Sequence, residues 1–231
     1  FVSATYEEGN RQLRPEKAWN SNLTLDWQAP RASAALTFYR NAVQDFIYLQ
    51  PSADSVLTVR GAFPVYRYRQ DNAVLQGIDA GGSLQITPAW SAEGRASLLR
   101  AFRWADANGS EPRRREWLPL MPADRFQYGV KWQQGGGSQQ SAVGSKQSAG
   151  GESYIRLLAT TVLRQTRLPE EGLLKAAPNA FTVFSLDAAH TFHLRPADTS
   201  PSGGQTLEVG LSIQNIGNTR YREYLNFFRF F

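Results

Sequence analysis

Two histidines, His190 and His193, are the only imidazoles in a chain of 231 residues that has no cysteine and a single methionine. Neither a thiolate metal site nor a disulfide framework can be built from such a chain. A three-residue spacing would bring both histidines to one face of a helix, but on a strand it sends them to opposite faces. They are expected as ordinary strand residues, and one of them could complete a zinc site only with ligands from outside this segment. Ser185, Asp187 and His190 could be written as a Ser-His-Asp set, yet nothing like a nucleophile elbow surrounds Ser185. Glu7, Glu8, Asp45, Asp54, Asp79 and Asp187 show no paired-carboxylate pattern. Gly81-Gly82 falls within a strand pattern, with no phosphate-binding motif after it, and reads as a bend or a close backbone contact. No catalytic residue, cofactor or metal is expected.

Binding chemistry has better candidates. Arg60, Tyr66, Arg67, Tyr68 and Arg69 interleave cations with aromatic rings, and Arg113, Arg114, Arg115 and Trp117 do so again. Guanidinium groups grip carboxylates and similar oxyanions in a fork, and they also stack on rings. Either set could meet an anionic or aromatic ligand; the plainer alternative is a solvated loop. The formal net charge of +5 does not point to nucleic acid, because the arginines are scattered and form no basic helix.

The elements that must carry these residues are strands. Leu23, Leu25 and Trp27 alternate with Thr24, Asp26 and Gln28. Phe126, Tyr128, Val130 and Trp132 alternate with polar or small residues from Arg125 to Gln133, and Leu207, Val209, Leu211 and Ile213 repeat the pattern. Such alternation gives a strand one apolar and one polar face. The pattern is mixed at 32–47, 73–87, 95–104 and 154–164. About nine strands are expected, near 1–6, 18–28, 32–47, 67–87, 90–105, 124–133, 152–166, 179–195 and 205–216. Several exceed the ~5–6 residues of soluble sheets and match the ~9–11 of tilted membrane strands. No apolar run of about 18 residues exists, so no membrane-spanning helix is present. Short turns at Ala29-Pro30-Arg31 and Thr87-Pro88-Ala89 alternate with long loops at about 49–66, 106–123 and 167–178, the asymmetry of outer-membrane barrels. Residues 134–151 read as a low-complexity Gly/Ser/Gln insertion. Trp19, Trp27, Trp90, Trp104 and Trp132 lie near strand ends, where interfacial rings belong.

The C-terminal stretch Asn215-Ile-Gly-Asn218-Thr-Arg-Tyr221-Arg-Glu-Tyr224-Leu225, followed by Arg229, resembles the near-terminal signature of TonB-dependent outer-membrane receptors. Gly9-Asn10-Arg-Gln-Leu13-Arg-Pro15-Glu16 is similar to a loop of that family, and Asp45-Phe46-Ile47-Tyr48 to the end of an ascending strand. Ala73-Val-Leu-Gln-Gly77-Ile-Asp79 resembles the family's Asn-Ala-x-x-x-Gly-x-Glu segment, with Asp79 in place of Glu. Trp117 to Pro122 resembles its Leu-Pro-x-x-Pro loop. The resemblance implies an all-β, antiparallel transmembrane barrel segment, about nine strands of a 22-stranded barrel. It implies that the plug domain and closing strand lie outside this chain. It further implies import of a ferric siderophore, haem or similar metal complex, energised by the TonB-ExbB-ExbD complex through the plug. Lipid and lipopolysaccharide would surround the wall, and the Arg/Tyr sets would sit on ligand-facing loops. The other readings are a plug-less outer-membrane barrel for adhesion or assembly, and a soluble β binding module.

Overall fold

The computed structural model describes residues 5–59, 61–105, 114–134, 152–169, 177–193 and 205–226. These residues contain ten strands: β1 Tyr6–Glu8, β2 Lys17–Ala29, β3 Ala32–Thr58, β4 Gly61–Gln85, β5 Trp90–Ala105, β6 Arg114–Trp117, β7 Arg125–Gln134, β8 Glu152–Val162, β9 Phe181–His193 and β10 Thr206–Ile213. No described segment is helical. Eight strands form the continuous order β10-β9-β8-β7-β5-β4-β3-β2, while β6 pairs with β5 and β1 adds in parallel to the far part of β4. The other neighbours are antiparallel. Among the described residues the sheet stays open, with β2 and β10 at its edges.

Register assigns the faces. Leu23, Phe38, Ile78 and Leu98 stand in one row across β2 to β5, and Val130, Leu157, Leu186 and Ile213 in another across β7 to β10. Residues two apart on a strand share a face, so these rows extend into one apolar band. Leu23, Leu25 and Leu211 are each more than half exposed (58%, 54% and 58%). A band of that extent is too large for a surface wetted by water. All six tryptophans fall on this face, including the five expected near strand ends. The opposite face is polar and internally bonded. Thr24 meets Thr37 at 3.0 Å, Ser33 meets Ser83 at 2.8 Å, and the Ser97 hydroxyl donates to Asp79 at 2.6 Å. The mixed patterns of β4 and β5 have a simple cause: their apolar face is lined largely by Ala80, Gly82, Ala92, Gly94 and Ala96. Small residues carry little hydropathy contrast.

The short turns behave as expected. Pro30-Arg31 joins β2 to β3. The Thr87 hydroxyl closes the second turn by accepting from the Ala89 and Trp90 amides at 3.3 and 3.1 Å. Gly82 is a close backbone contact, since a Cβ there would lie 2.8 Å from the Ser33 carbonyl oxygen.

The other end corrects the expectation of a long loop at 49–66. There β3 and β4 continue as one hairpin to Thr58 and Gly61, with Gly61 at φ 117° in the turn. Pro51 and Pro64 disguise it. Proline is tolerated in a strand at a bulge or edge, and the register shifts between Pro51 and Ser55. The 13 residues from Phe46 to Thr58 measure about 40 Å of extended chain. The expected loop at 106–123 likewise contains β6. The insertion, apart from Gln134 at the end of β7, lies outside the described residues.

Candidate functional site

The buried side chains gather at the long-loop end. Tyr48, Ala73, Ala101 and Leu118 form one apolar cluster, and Tyr66 with Tyr224 another, joined by Leu49, Leu120, Leu168 and Ala177. Ionic groups tie these clusters down. The Arg103 guanidinium donates to Asp71 and to Glu116, both at 2.6 Å, and lies 5.2 Å from the centre of the Tyr48 ring. The Tyr48 hydroxyl donates to the same Asp71 at 2.6 Å. Burial, then the Asp71 hydrogen bond, pushes this phenol above its ordinary pKa, so it stays a neutral donor. Asp124 accepts from Arg100 at 2.7 and 3.1 Å and from Arg167 at 2.8 and 3.3 Å. Buried Gln165 donates to the Met121 and Pro122 carbonyls, both at 2.9 Å. Stretches distant in sequence thus form one platform.

The motif residues act within this platform or just below it. A bulge between Val43 and Phe46 puts Asp45 at φ 58°. Arg14 bridges to Asp45 at 3.0 Å, Gln70 donates to the Arg14 and Asp45 carbonyls at 2.5 and 2.6 Å, and Glu16 accepts the Ile47 amide at 2.5 Å. Leu13 and Pro15 lie in the segment so held. Ala73 is packed beneath Tyr48. Gly77 leaves room for the Tyr39 ring, because a Cβ there would lie 2.3 Å from the Tyr39 hydroxyl oxygen and 2.3 Å from the Leu98 carbonyl oxygen. Asn215 and Asn218 occupy the left-handed region at φ 54° and 45°, which asparagine tolerates. The Asn215 carboxamide accepts the Thr219 amide at 2.8 Å and donates to its carbonyl at 3.1 Å, turning the chain sharply. Tyr221 then stacks on Phe181 at 4.5 Å, Glu223 reaches Arg125 at 2.8 Å, and Tyr224 enters its cluster beside exposed Leu225. Arg229 lies outside the described residues.

The two Arg/aromatic sets are divided by alternation. Arg67 and Arg69 share the parity of Asp71 and Asp79, whereas Tyr66 and Tyr68 share that of Val74. Arg67 binds Glu8 at 2.7 Å and Asp54 at 2.9 Å. The Tyr68 hydroxyl donates to Glu7 at 3.0 Å, which raises its pKa. Tyr66 is wholly buried, and Arg69 is exposed. In the second set, Arg114 is exposed on β6, and Arg115 lies over the rings of Phe102 and Trp117 at 3.8 and 5.2 Å, on the apolar-face side of β5. Arg60 and Arg113 lie outside the described residues. Sequence reasoning missed Tyr48, Arg103 and Asp124 as site residues, whose partners are 13 to 43 residues away in the chain.

Among the described residues Ser185, Asp187 and His190 do not converge. Ser185 and Asp187 face the polar side of β9 and His190 the apolar side, where its Nδ1 lies 2.7 Å from the Ser153 hydroxyl; Asp187 accepts from Ser212 at 2.7 Å. The side chain of His193 lies outside the described residues. Among the described residues no group of three His, Cys, Asp or Glu could hold a metal ion.

An antiparallel sheet with one lipid-compatible face, short turns at one end and a braced platform at the other defines a wall of an outer-membrane barrel. The family model for the β-barrel of TonB-dependent receptor-like proteins matches residues 2–216, and the chain belongs to that family. It is similar to the solved structure titled copper transporter OprC (TM-score 0.62, 19% identity), covering 93% of this chain and 28% of that one. It is also similar to a mutant of the ferric enterobactin receptor PfeA from Pseudomonas aeruginosa (TM-score 0.51, 13% identity), with the same coverage of 93% and 28%. At these identities the likeness is one of fold, and the chain spans under a third of either protein. No curated protein matches the chain. Barrels of this family are outer-membrane proteins that enclose a plug and work with TonB, and the relatives named are transporters and receptors, not enzymes.

Proposed function

We propose that this chain forms wall strands and ligand-facing loops of a receptor that imports a scarce metal complex, of the ferric siderophore or haem class, energised by TonB-ExbB-ExbD acting on the plug. The platform end faces the outside. The observation that carries this reading is the apolar band running unbroken across eight adjacent strands whose two edges are unpaired among the described residues. Unpaired edge groups cost several kcal/mol each in lipid, so β2 and β10 require the remaining barrel strands of the same receptor.

At the mouth, the Arg69 and Arg114 guanidinium groups offer hydrogen-bond donors to an anionic organic shell. Capture of a bare soft metal ion calls for thiolate, thioether or imidazole ligands, and a chain with no Cys, one Met and two His is poor in them. This favours contact with the complex over direct ligation.

The test is uptake of ferric siderophores and haem by iron-starved cells expressing the full-length receptor, with and without TonB. Uptake that requires TonB and falls severalfold in Arg69→Ala/Arg114→Ala is expected. Uptake indifferent to TonB refutes the import reading, and a plug-less barrel for adhesion or assembly would then account for the same wall.

A further inference from the structure

After β10 the chain does not stay at its own edge of the sheet. The Thr219 hydroxyl donates to the Thr182 carbonyl of β9 at 3.2 Å, and Tyr221 stacks on Phe181 of the same strand. Glu223 then reaches Arg125 of β7, and Tyr224 is buried beside Tyr66 of β4. Four strand spacings separate β9 from β4, about 19 Å across a sheet. Residues 219–224 are thus a strap laid over the platform end of the wall. Phe181 shares the parity of Asp187, and Arg125 stands opposite Ser97, so the strap crosses both on the polar face.

The strap is held unequally. Tyr224 is 6% exposed, whereas the Arg125 and Glu223 side chains are 46% and 45% exposed. A half-exposed ion pair is weak and exchanges partners readily. Arg125 also lines a pocket of 230 Å³ with Asp79, Arg95, Ser97 and Gln127 among others. Register makes Arg95 and Arg125 diagonal neighbours, since Arg95 faces Gln127 and Arg125 faces Ser97. Their backbones are then about 7–8 Å apart, close enough for two guanidinium forks to meet on one carboxylate. Gln127 donates to Thr160 at 3.2 Å, and Asp79 accepts from the Ser97 hydroxyl. With Glu223 in place, Arg95 and Arg125 are matched by two carboxylates, Asp79 and Glu223. When Glu223 leaves, one positive charge stands unmatched, and a single incoming carboxylate restores the balance.

We propose that this pocket receives a carboxylate of the cargo and that Glu223 is its internal stand-in. The incoming carboxylate takes Arg125 together with Arg95, Glu223 lets go, and the strap loosens from β7. That the carboxylate belongs to a cargo rests on the import reading above; the competition at Arg125 does not. Full-length receptor in detergent is titrated with benzoate, and with benzamide as its uncharged isostere. Ligand-observed NMR gives the affinity, and amide hydrogen exchange follows residues 219–226. Saturating benzoate should speed exchange there severalfold in the wild type, and benzamide should leave it unchanged, a comparison that needs no variant to fold. Glu223→Gln removes the competitor, so benzoate should bind about threefold more tightly, the factor expected of a half-exposed ion pair. Loss of a merely structural contact would not raise affinity. Arg95→Gln, at a residue that forms no ion pair with the strap among the described residues, should weaken benzoate about tenfold in heat-modifiable protein. Unchanged exchange at saturating benzoate, equal binding of benzamide, or weaker binding by Glu223→Gln overturns the proposal. Inorganic phosphate binding as tightly as benzoate would assign the pocket to any small oxyanion and overturn the carboxylate. Uptake in the same strains separates the readings: uptake indifferent to TonB sinks import and leaves the latch, whereas TonB-dependent uptake with unchanged affinity in Glu223→Gln sinks only the latch.

Discussion

Asp124→Asn is the perturbation most informative about the platform. The Asp124 side chain is 8% exposed and sits between Arg167, 15% exposed, and Arg100, 38% exposed. Removing its charge leaves two guanidinium groups facing each other. The Arg167 pair is treated as buried, for which breaking one partner costs about 3 kcal/mol. The Arg100 pair is more than a third exposed and counts as a surface contact of ~0.5–1 kcal/mol. The isosteric carboxamide can retain part of the hydrogen bonding, so the net loss is about 3 kcal/mol. Its site of action is local, because barrel pairing of β7 with β8 is untouched. The segment after β8 should detach from Met121 and Pro122, where Gln165 now anchors it. Amide hydrogen exchange of the full-length receptor in detergent reads this directly. Protection over 163–168 should fall roughly hundredfold, at about 1.4 kcal/mol per factor of ten, while amides within β8 keep theirs. Asp26→Asn, at an exposed carboxylate on the polar face of β2, serves as the control. A change under threefold over 163–168 would refute the view that Asp124 holds the platform together.

Three further outcomes are expected. Leu25→Arg should destabilise the barrel by about 2–4 kcal/mol in lipid vesicles, and neighbouring Thr24→Arg should be nearly neutral; equal effects in urea titrations would disprove the face assignment. Gly77→Ala should cost about 1–3 kcal/mol, as overpacking does. Adding Tyr39→Ala should restore only part of that, since the Leu98 carbonyl still meets the new methyl group; full recovery would contradict the backbone clash. Asp54 is held below its ordinary pKa of 3.8, first by the Ser52 hydroxyl and then by Arg67. A depressed carboxylate contributes stability above its unfolded pKa and loses it as pH falls through the folded value. Acid pepsin cleavage of the β3–β4 hairpin should therefore rise as pH drops below that range, and Asp54→Asn should cleave readily throughout.

Much of the wall was legible in the sequence. Leu23-Thr24-Leu25-Asp26-Trp27 and Leu207 to Ile213 show their faces without help, because alternation is a property of single strands. The family motifs also stand in order along the chain, although only Asn215 serves a near neighbour, Thr219, whereas Glu16 reaches Ile47 and Gly77 makes room for Tyr39. The hairpin from 46 to 71 was not legible: its prolines imitate a loop, and only cross-strand pairing reveals a continuous ladder. The candidate site was legible as residue types and not as an arrangement. The run Tyr66-Arg67-Tyr68-Arg69 looks like one patch on paper, yet neighbours on a strand point oppositely.

By itself, then, the sequence determined an all-β membrane wall, because period-two hydropathy and turn residues act within a few positions of one another. Tertiary structure decided which face the Ala- and Gly-lined β4 and β5 present, through the register of their neighbours. It also decided which cations are occupied. Arg125 finds Glu223 across 98 residues and Arg67 finds Glu8 across 59, whereas Lys17 and Arg40 find no carboxylate among the described residues. Charge partners are set by where strands lie side by side, and no spacing along the chain encodes that.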